Sequence, residues 1–146
     1  MQLKTDKMIA EKDNGIGWVI FNNPERRNAI SLAMREAMTE IFEAFAKDDE
    51  VRVMVLRGTG GKAFVSGADI SEFKEKRNSA EAEAAYSAAS TRSREAMAAF
   101  DKPIIAMIEG FCVGGGMGTA LDCDIRIASD DAQFGIPAAK LGLAYA

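Results

Sequence analysis

Pro103-Ile-Ile-Ala-Met-Ile-Glu-Gly-Phe-Cys-Val-Gly-Gly-Gly-Met-Gly-Thr-Ala-Leu-Asp122 begins with an apolar run and passes through three consecutive glycines into a segment that can turn helical. An apolar run without polar alternation fits a strand buried on both faces, the pattern of a parallel sheet. A strand, a bare turn and a helix together form the repeating unit of an α/β protein. Gly114, Gly115 and Gly116 admit two readings. At a helix start they present free N–H groups able to hold an anion or a developing oxyanion, with no side chain to keep a ligand away. They equally permit a helix to pack tightly on a strand.

The same alternation continues outward from this stretch. Val51–Leu56 reads as a strand closed by the turn Gly58-Thr-Gly-Gly61. A long alanine-rich helix is expected from Ser79 to Phe100, because alanine is the strongest helix former. Further upstream, Ser31 reads as the N-cap of an amphipathic helix ending near Asp48. Met34, Met38, Ile41, Phe42 and Phe45 recur there at steps of three and four. Gly17–Phe21 is a strand, paired with Lys7–Glu11 through a hairpin turn at Asp13-Asn-Gly15 and stopped by Asn22-Asn-Pro24. Downstream, Ile125–Ala128 and Gln133–Phe134 read as short strands. No linker or composition break divides the chain, so residues 1–146 read as one α/β domain.

Composition narrows the chemistry. The chain contains no histidine, so it supplies neither a Ser-His-Asp triad nor a His-ligated zinc site nor an imidazole base. A net charge of −4 argues against a nucleic-acid partner. Cys112 and Cys123 are too few for a disulfide scaffold or a thiolate metal site, and read as buried thiols. The longest apolar stretch is broken by Glu109 and glycines, which argues against membrane insertion, and the first residues form no secretory signal. A cytoplasmic protein without a metal is the expectation.

A second cluster, Lys62-Ala-Phe-Val-Ser-Gly-Ala-Asp-Ile70, also follows a strand and leads into a helical turn expected over Ile70 to Phe73. Ser66, Gly67 and Ala68 again leave backbone amides open, and Asp69 reads either as a cap or as a catalytic carboxylate. Neither cluster is a nucleotide-binding loop. A P-loop ending at Gly61-Lys62 fails at Leu56 and Ala63, and GxGxxG patterns starting at Gly58 or Gly114 fail at Ala63 and Thr119. Two backbone-donor turns, each behind a strand, are what holding one carbonyl oxygen from two sides requires.

Asn22-Asn-Pro-Glu-Arg-Arg-Asn-Ala-Ile30, Phe64-Val-Ser-Gly-Ala-Asp-Ile70 and Lys102-Pro-Ile-Ile-Ala106 followed by Gly110-Phe-Cys-Val-Gly-Gly-Gly116 resemble the crotonase superfamily, the enoyl-CoA hydratases/isomerases. Cys123-Asp-Ile-Arg-Ile-Ala-Ser129 and Ala132-Gln-Phe-Gly135 continue the resemblance in order. It implies a spiral of ββα turns, assembled as homotrimers or hexamers, that binds an acyl-CoA thioester. Coenzyme A is then part of the substrate, and no separate cofactor is expected. The resemblance puts an oxyanion hole on the N–H groups of Ala68 and Gly115. It makes Ala63, Phe64, Ser66, Gly67, Asp69, Ile70 and Gly114 contacts for the acyl-CoA, largely through backbone. Arg26, Arg27 and Lys62 are candidates for the CoA phosphates, which suit guanidinium and ammonium groups.

Hydratases of that family use two glutamates, and the matching positions here hold Gly118 and Ala138. Hydration by the usual acid–base route is therefore not expected to be efficient. The spacing of Tyr145 after Leu141-Gly-Leu-Ala144 resembles a methylmalonyl-CoA-decarboxylase branch, in which a tyrosine lies near the acyl group. A third alternative is a non-catalytic acyl-CoA-binding relative. The resemblance also implies a C-terminal helical region that this chain does not carry, so the 146 residues are expected to be an incomplete core.

Overall fold

Asn14 and Gly15 both take positive φ (49° and 85°), the backbone of a tight turn whose twist matches paired strands. Met8–Asp13 (β1) therefore folds back antiparallel on Ile16–Phe21 (β2), as expected. This computed structural model describes residues 1–69, 71, 80–142 and 144. The expected contact at Ile70, most of the helical turn to Phe73, and Tyr145 lie outside the described residues.

Ser31 caps the first helix, its Oγ accepting from the Met34 N–H at 3.2 Å, and Leu32–Ala46 (α1) follows. Met34, Met38, Ile41, Phe42 and Phe45 are buried, so the apolar stripe packs inward as its spacing requires. Lys102 Nζ donates to the carbonyls of Phe45 and Asp48 at 2.8 Å each, satisfying acceptors at the end of α1.

The remaining chain climbs in three similar steps. Val53–Gly58 (β3) and Ala63–Val65 (β4) lead to Ala80–Ala98 (α2). Ile104–Ile108 (β5) and Phe111–Val113 (β6) lead to Gly115–Leu121 (α3). Ile125–Ala128 (β7) and Gln133–Gly135 (β8) lead to a 3₁₀ turn at Pro137–Leu141. Each step gives its first strand to a five-stranded sheet ordered β1-β2-β3-β5-β7 and its second to a three-stranded sheet ordered β4-β6-β8. All pairings after the hairpin are parallel. The result is a spiral of ββα turns.

Three expectations change. The strand expected at Val51–Leu56 starts later, because the Val51 N–H closes a turn on Asp48 O and the ladder runs from Ile16↔Val53 to Phe21↔Gly58. β5 is fully buried on one face only; Ile105 and Met107 on the other are half-buried. The three-residue strands β4 and β6 were not expected, and they build the second sheet. On β7 every residue is exposed, and Ile127 (59% exposed), Ile125, Leu121 and Phe134 leave an uncovered apolar face at that edge.

Aromatic edges fill the core: Phe21 meets Phe64 and Phe42 meets Phe100, each with ring centroids 5.5 Å apart and T-shaped. Cys112 and Cys123 are buried and unbridged. Burial disfavours the thiolate, pushing Cys112 up to about 11 and Cys123 up to about 12. At pH 8 the native Cys112 thiolate fraction is about one in a thousand. Native protein is therefore expected to react with a thiol reagent only after unfolding. Rapid labelling of either cysteine without denaturant would contradict this burial. A thiol whose folded pKa is raised also loses its share of stability as pH rises from about 9 towards 11, because the unfolded chain ionises first. Among the described residues no helix is long and apolar enough to cross a membrane.

Candidate active site

The two glycine clusters, 45 or more residues apart in the chain, lie against one another. A Cβ built on Gly114 would be 3.8 Å from the Gly67 Cα, and one built on Gly67 would be 3.8 Å from the Val113 carbonyl oxygen. Parallel pairing of β4 with β6 brings them to the same edge. The loop before α1 joins them: Ile30 bridges Ala68, its N–H donating to Gly67 O at 2.8 Å while Asp69 N–H donates to Ile30 O at 3.0 Å. Tyr86 of α2 donates its hydroxyl to the same Ile30 carbonyl.

Successive amides of an extended segment point in opposite directions, so the Ala68 N–H faces away from Ile30. Among the described residues no hydrogen bond uses the N–H of Ala68 or of Gly115. Ala68 is exposed and Gly115 half-buried, so both amides stand at an accessible surface.

The three glycines do different things. Gly114 takes φ 58° and ψ −125°, a backbone that side chains disfavour, and its N–H donates to Gly135 O. Gly116 is buried against β4: a Cβ there would fall 2.1 Å from the Val65 carbonyl oxygen. Gly115 has ordinary φ, and a Cβ there would meet nothing nearer than Arg35 Nη2 at 3.6 Å. The packing reading of the triplet holds for one of its residues. Gly116 serves packing, whereas neither packing nor backbone strain demands the bareness of Gly115.

A cleft of about 290 Å³ opens beside Gly115. Arg35 of α1, Ser90 and Arg94 of α2, and Gly118 and Thr119 of α3 line it. Arg94 Nε pairs with Asp122 Oδ2 at 3.2 Å at its margin, where a wider depression of about 540 Å³ continues along α2. Arg35, Ser90 and Arg94 escaped the reading of the sequence. Arg35 carried a usable signal, because it stands three and seven residues before Met38 and Phe42 and so shares their inward face.

The other expected contacts divide by environment. Ala63 and Phe64 are fully buried, so neither presents a side chain to a ligand. Asp69 is buried too. Burial opposes its charge, but hydrogen bonds from the Ser71 hydroxyl (2.5 Å) and N–H (3.1 Å), with Asn23 Nδ2 at 3.5 Å, outweigh that and hold the carboxyl below its usual range. That carboxylate is engaged within the protein by Ser71 and Asn23. Arg26, Arg27 and Lys62 are exposed around the start of β4. Ser66 Oγ donates to Arg26 O at 3.2 Å, Arg27 lies 4.8 Å over the Phe111 ring, and the Phe111 N–H donates to Lys62 O at 3.0 Å. The three cations are thereby tied to one edge.

Asn28 holds that edge in place. Buried at φ 56°, it donates Nδ2 to Thr59 O (3.0 Å) and Ala63 O (2.8 Å) and accepts from Asn23 N–H (2.9 Å). Asn28→Ala removes three bonds and is expected to cost about 2–4 kcal/mol, read as a lower denaturation midpoint with unchanged slope. A loss below about 1 kcal/mol would show that these bonds do not brace the loop.

A sequence model of the enoyl-CoA hydratase/isomerase family matches residues 11–146. The chain belongs to that family. It is similar to the short-chain-enoyl-CoA hydratase of Clostridium acetobutylicum, 36% identical over 141 residues, which cover 97% of this chain and 53% of that protein. The hydroxycinnamoyl-CoA hydratase-lyase of Pseudomonas fluorescens is 35% identical over 136 residues, covering 91% and 49%. Among solved structures, an enoyl-CoA hydratase/carnithine racemase from Magnetospirillum magneticum matches with a TM-score of 0.90 and 38% identity, over 98% of this chain and 54% of that one. The chain spans about half the length of the curated relatives it matches. Within the enoyl-CoA hydratase/isomerase fold, Gly118 sits on the cleft, and Ala138 lies three residues past Gly135, whose carbonyl bonds Gly114.

Proposed function

We propose that this chain carries the thioester-binding half of an acyl-CoA enzyme, with the substrate's carbonyl oxygen accepting from the N–H groups of Ala68 and Gly115. The observation that carries this reading is the abutment of two glycine turns, each with an accessible and unused amide. When the α-carbon becomes nucleophilic, negative charge moves onto that oxygen, and two preplaced donors stabilise it without reorganisation. Arg26, Arg27 and Lys62 suit the CoA phosphates, with the backbone of Ala63 to Gly67 beside the pantetheine and adenine. The assembly proposed is a homotrimer or a pair of trimers, in the cytoplasm.

Gly118 and Ala138 leave the usual hydration route without its two carboxylates. They favour a second reading, decarboxylation of a malonyl-type thioester. There the bond from the α-carbon to the carboxylate breaks, its electron pair forms the enolate, carbon dioxide leaves, and a proton is then delivered to the α-carbon. No carboxylate base is required, and Tyr145 is proposed to stand near the acyl group. Incubation of the full-length protein with crotonyl-CoA and with methylmalonyl-CoA separates these readings. Turnover of neither rules out both named activities and, with acyl-CoA still bound, favours a non-catalytic binder.

Restoring both carboxylates is the complementary test. Gly118→Glu with Ala138→Glu is expected to raise crotonyl-CoA hydration by about 10²-fold or more, since each placed acid–base group contributes roughly 10²–10⁴. No gain in a folded, acyl-CoA-binding double variant would contradict the placement of these positions at the reacting carbons.

A further inference from the structure

Arg35 is a buried charge that the described residues leave without a counter-charge. The residue is 7% exposed, its Nε is buried with no hydrogen-bond partner, and among the described residues no ion pair involves it. A buried guanidinium without a counter-charge is strongly unfavourable, so such a group implies an anion that completes it. The cleft it lines holds two guanidinium groups, Arg35 and Arg94, against one carboxylate, Asp122, and that carboxylate is already paired with Arg94. The excess is one positive charge, and it belongs to Arg35.

Position defines the anion. Arg35 Nη2 lies 3.6 Å from where a Gly115 Cβ would stand, which puts it at most about 6 Å from the Gly115 N–H nitrogen. We propose that Arg35 binds a carboxylate at the tip of the acyl chain, and that the preferred ligands are CoA monothioesters of short dicarboxylic acids. This rests on the acyl-CoA reading above, because the thioester oxygen on Gly115 sets the distance. A carboxylate within three or four bonds of the carbonyl reaches the planar fork of Arg35, where paired donors match its two oxygens. A chain ending in methyl fills the same space and leaves the buried charge uncompensated.

The test compares succinyl-CoA with butyryl-CoA, equal in chain length and differing by carboxylate against methyl, by calorimetric titration of the full-length protein. The wild type is expected to bind succinyl-CoA at least tenfold more tightly. Arg35→Gln is expected to abolish that preference, and Arg35→Lys to keep part of it. Equal wild-type affinities, or a preference that survives Arg35→Gln, overturn the proposal; equal affinities would mean that Arg35 is neutralised by another carboxylate of the protein. Binding of neither thioester instead overturns the acyl-CoA reading itself. If Arg35→Gln does not fold, the wild-type comparison and Arg35→Lys decide alone.

Discussion

Ala68→Pro is expected to lower kcat by about 10²–10³-fold on whichever thioester the protein turns over, with acyl-CoA affinity changed far less. Proline has no N–H, so one of the two proposed donors to the oxygen disappears. The amide it removes bonds nothing among the described residues, while the neighbouring bonds from Ile30 to Gly67 and from Asp69 to Ile30 use other groups. The fold therefore loses no hydrogen bond. Replacing Ala68 by its α-hydroxy-acid counterpart, which exchanges N–H for oxygen and adds no atom, is expected to reproduce the loss. A donor that acts only in the transition state lowers kcat and kcat/KM together, whereas a donor that merely binds raises KM. Full activity in both variants would mean that the oxygen is held elsewhere.

The largest expected effect on stability is at Gly116. Gly116→Ala sets a Cβ 2.1 Å from the Val65 carbonyl oxygen and 2.7 Å from its carbon, and neither is a flexible side-chain end that can swing aside. α3 and β4 must separate, and a destabilisation of about 3 kcal/mol or more is expected, consistent with forced overpacking of a buried contact. Gly115→Ala, one residue away, meets only Arg35 Nη2 at 3.6 Å. It is expected to leave stability within about 1 kcal/mol while placing a methyl group at the accessible amide, so its effect appears in activity. Equal stability losses at the two positions in chemical denaturation would contradict this division of the triplet.

The elements with long, regular patterns were legible. The stripe of α1 and its Ser31 cap, the Asn14-Gly15 hairpin and the alanine-rich α2 follow from periodicity and turn chemistry, which local sequence carries. Most of the second sheet was not legible because β4 and β6 have three residues each, fewer than two periods of alternation. Their existence depends on pairing across more than 40 residues, as Ala63 with Phe111 shows. The exposure of β7 was equally hidden. Ile125–Ala128 reads as a strand, and that reading does not say whether its isoleucines are covered; the described residues place nothing over Ile125 and Ile127.

The candidate site divides in the same way. Its backbone, from Gly67 to Asp69 and Gly114 to Gly116, was recognisable because glycines and small residues mark bare turns. Its charged lining was less so: spacing puts Arg35 on the inward face of α1, but only the fold shows its Nε buried without a partner. Phe64 and Asp69 stand in the same motif, where the Phe64 side chain fills the core and the Asp69 carboxylate accepts from Ser71.

The central claim is that Ala68 and Gly115 together hold a thioester oxygen. Difference vibrational spectroscopy of a bound acyl-CoA carrying a ¹³C-labelled thioester carbonyl tests it most directly. Two hydrogen bonds polarise that carbonyl, so its stretch is expected to move to lower frequency on binding the native protein. In Ala68→Pro the stretch is expected to return part of the way towards its solution value. A carbonyl frequency that is unchanged on binding, or the same in both proteins, would contradict the claim.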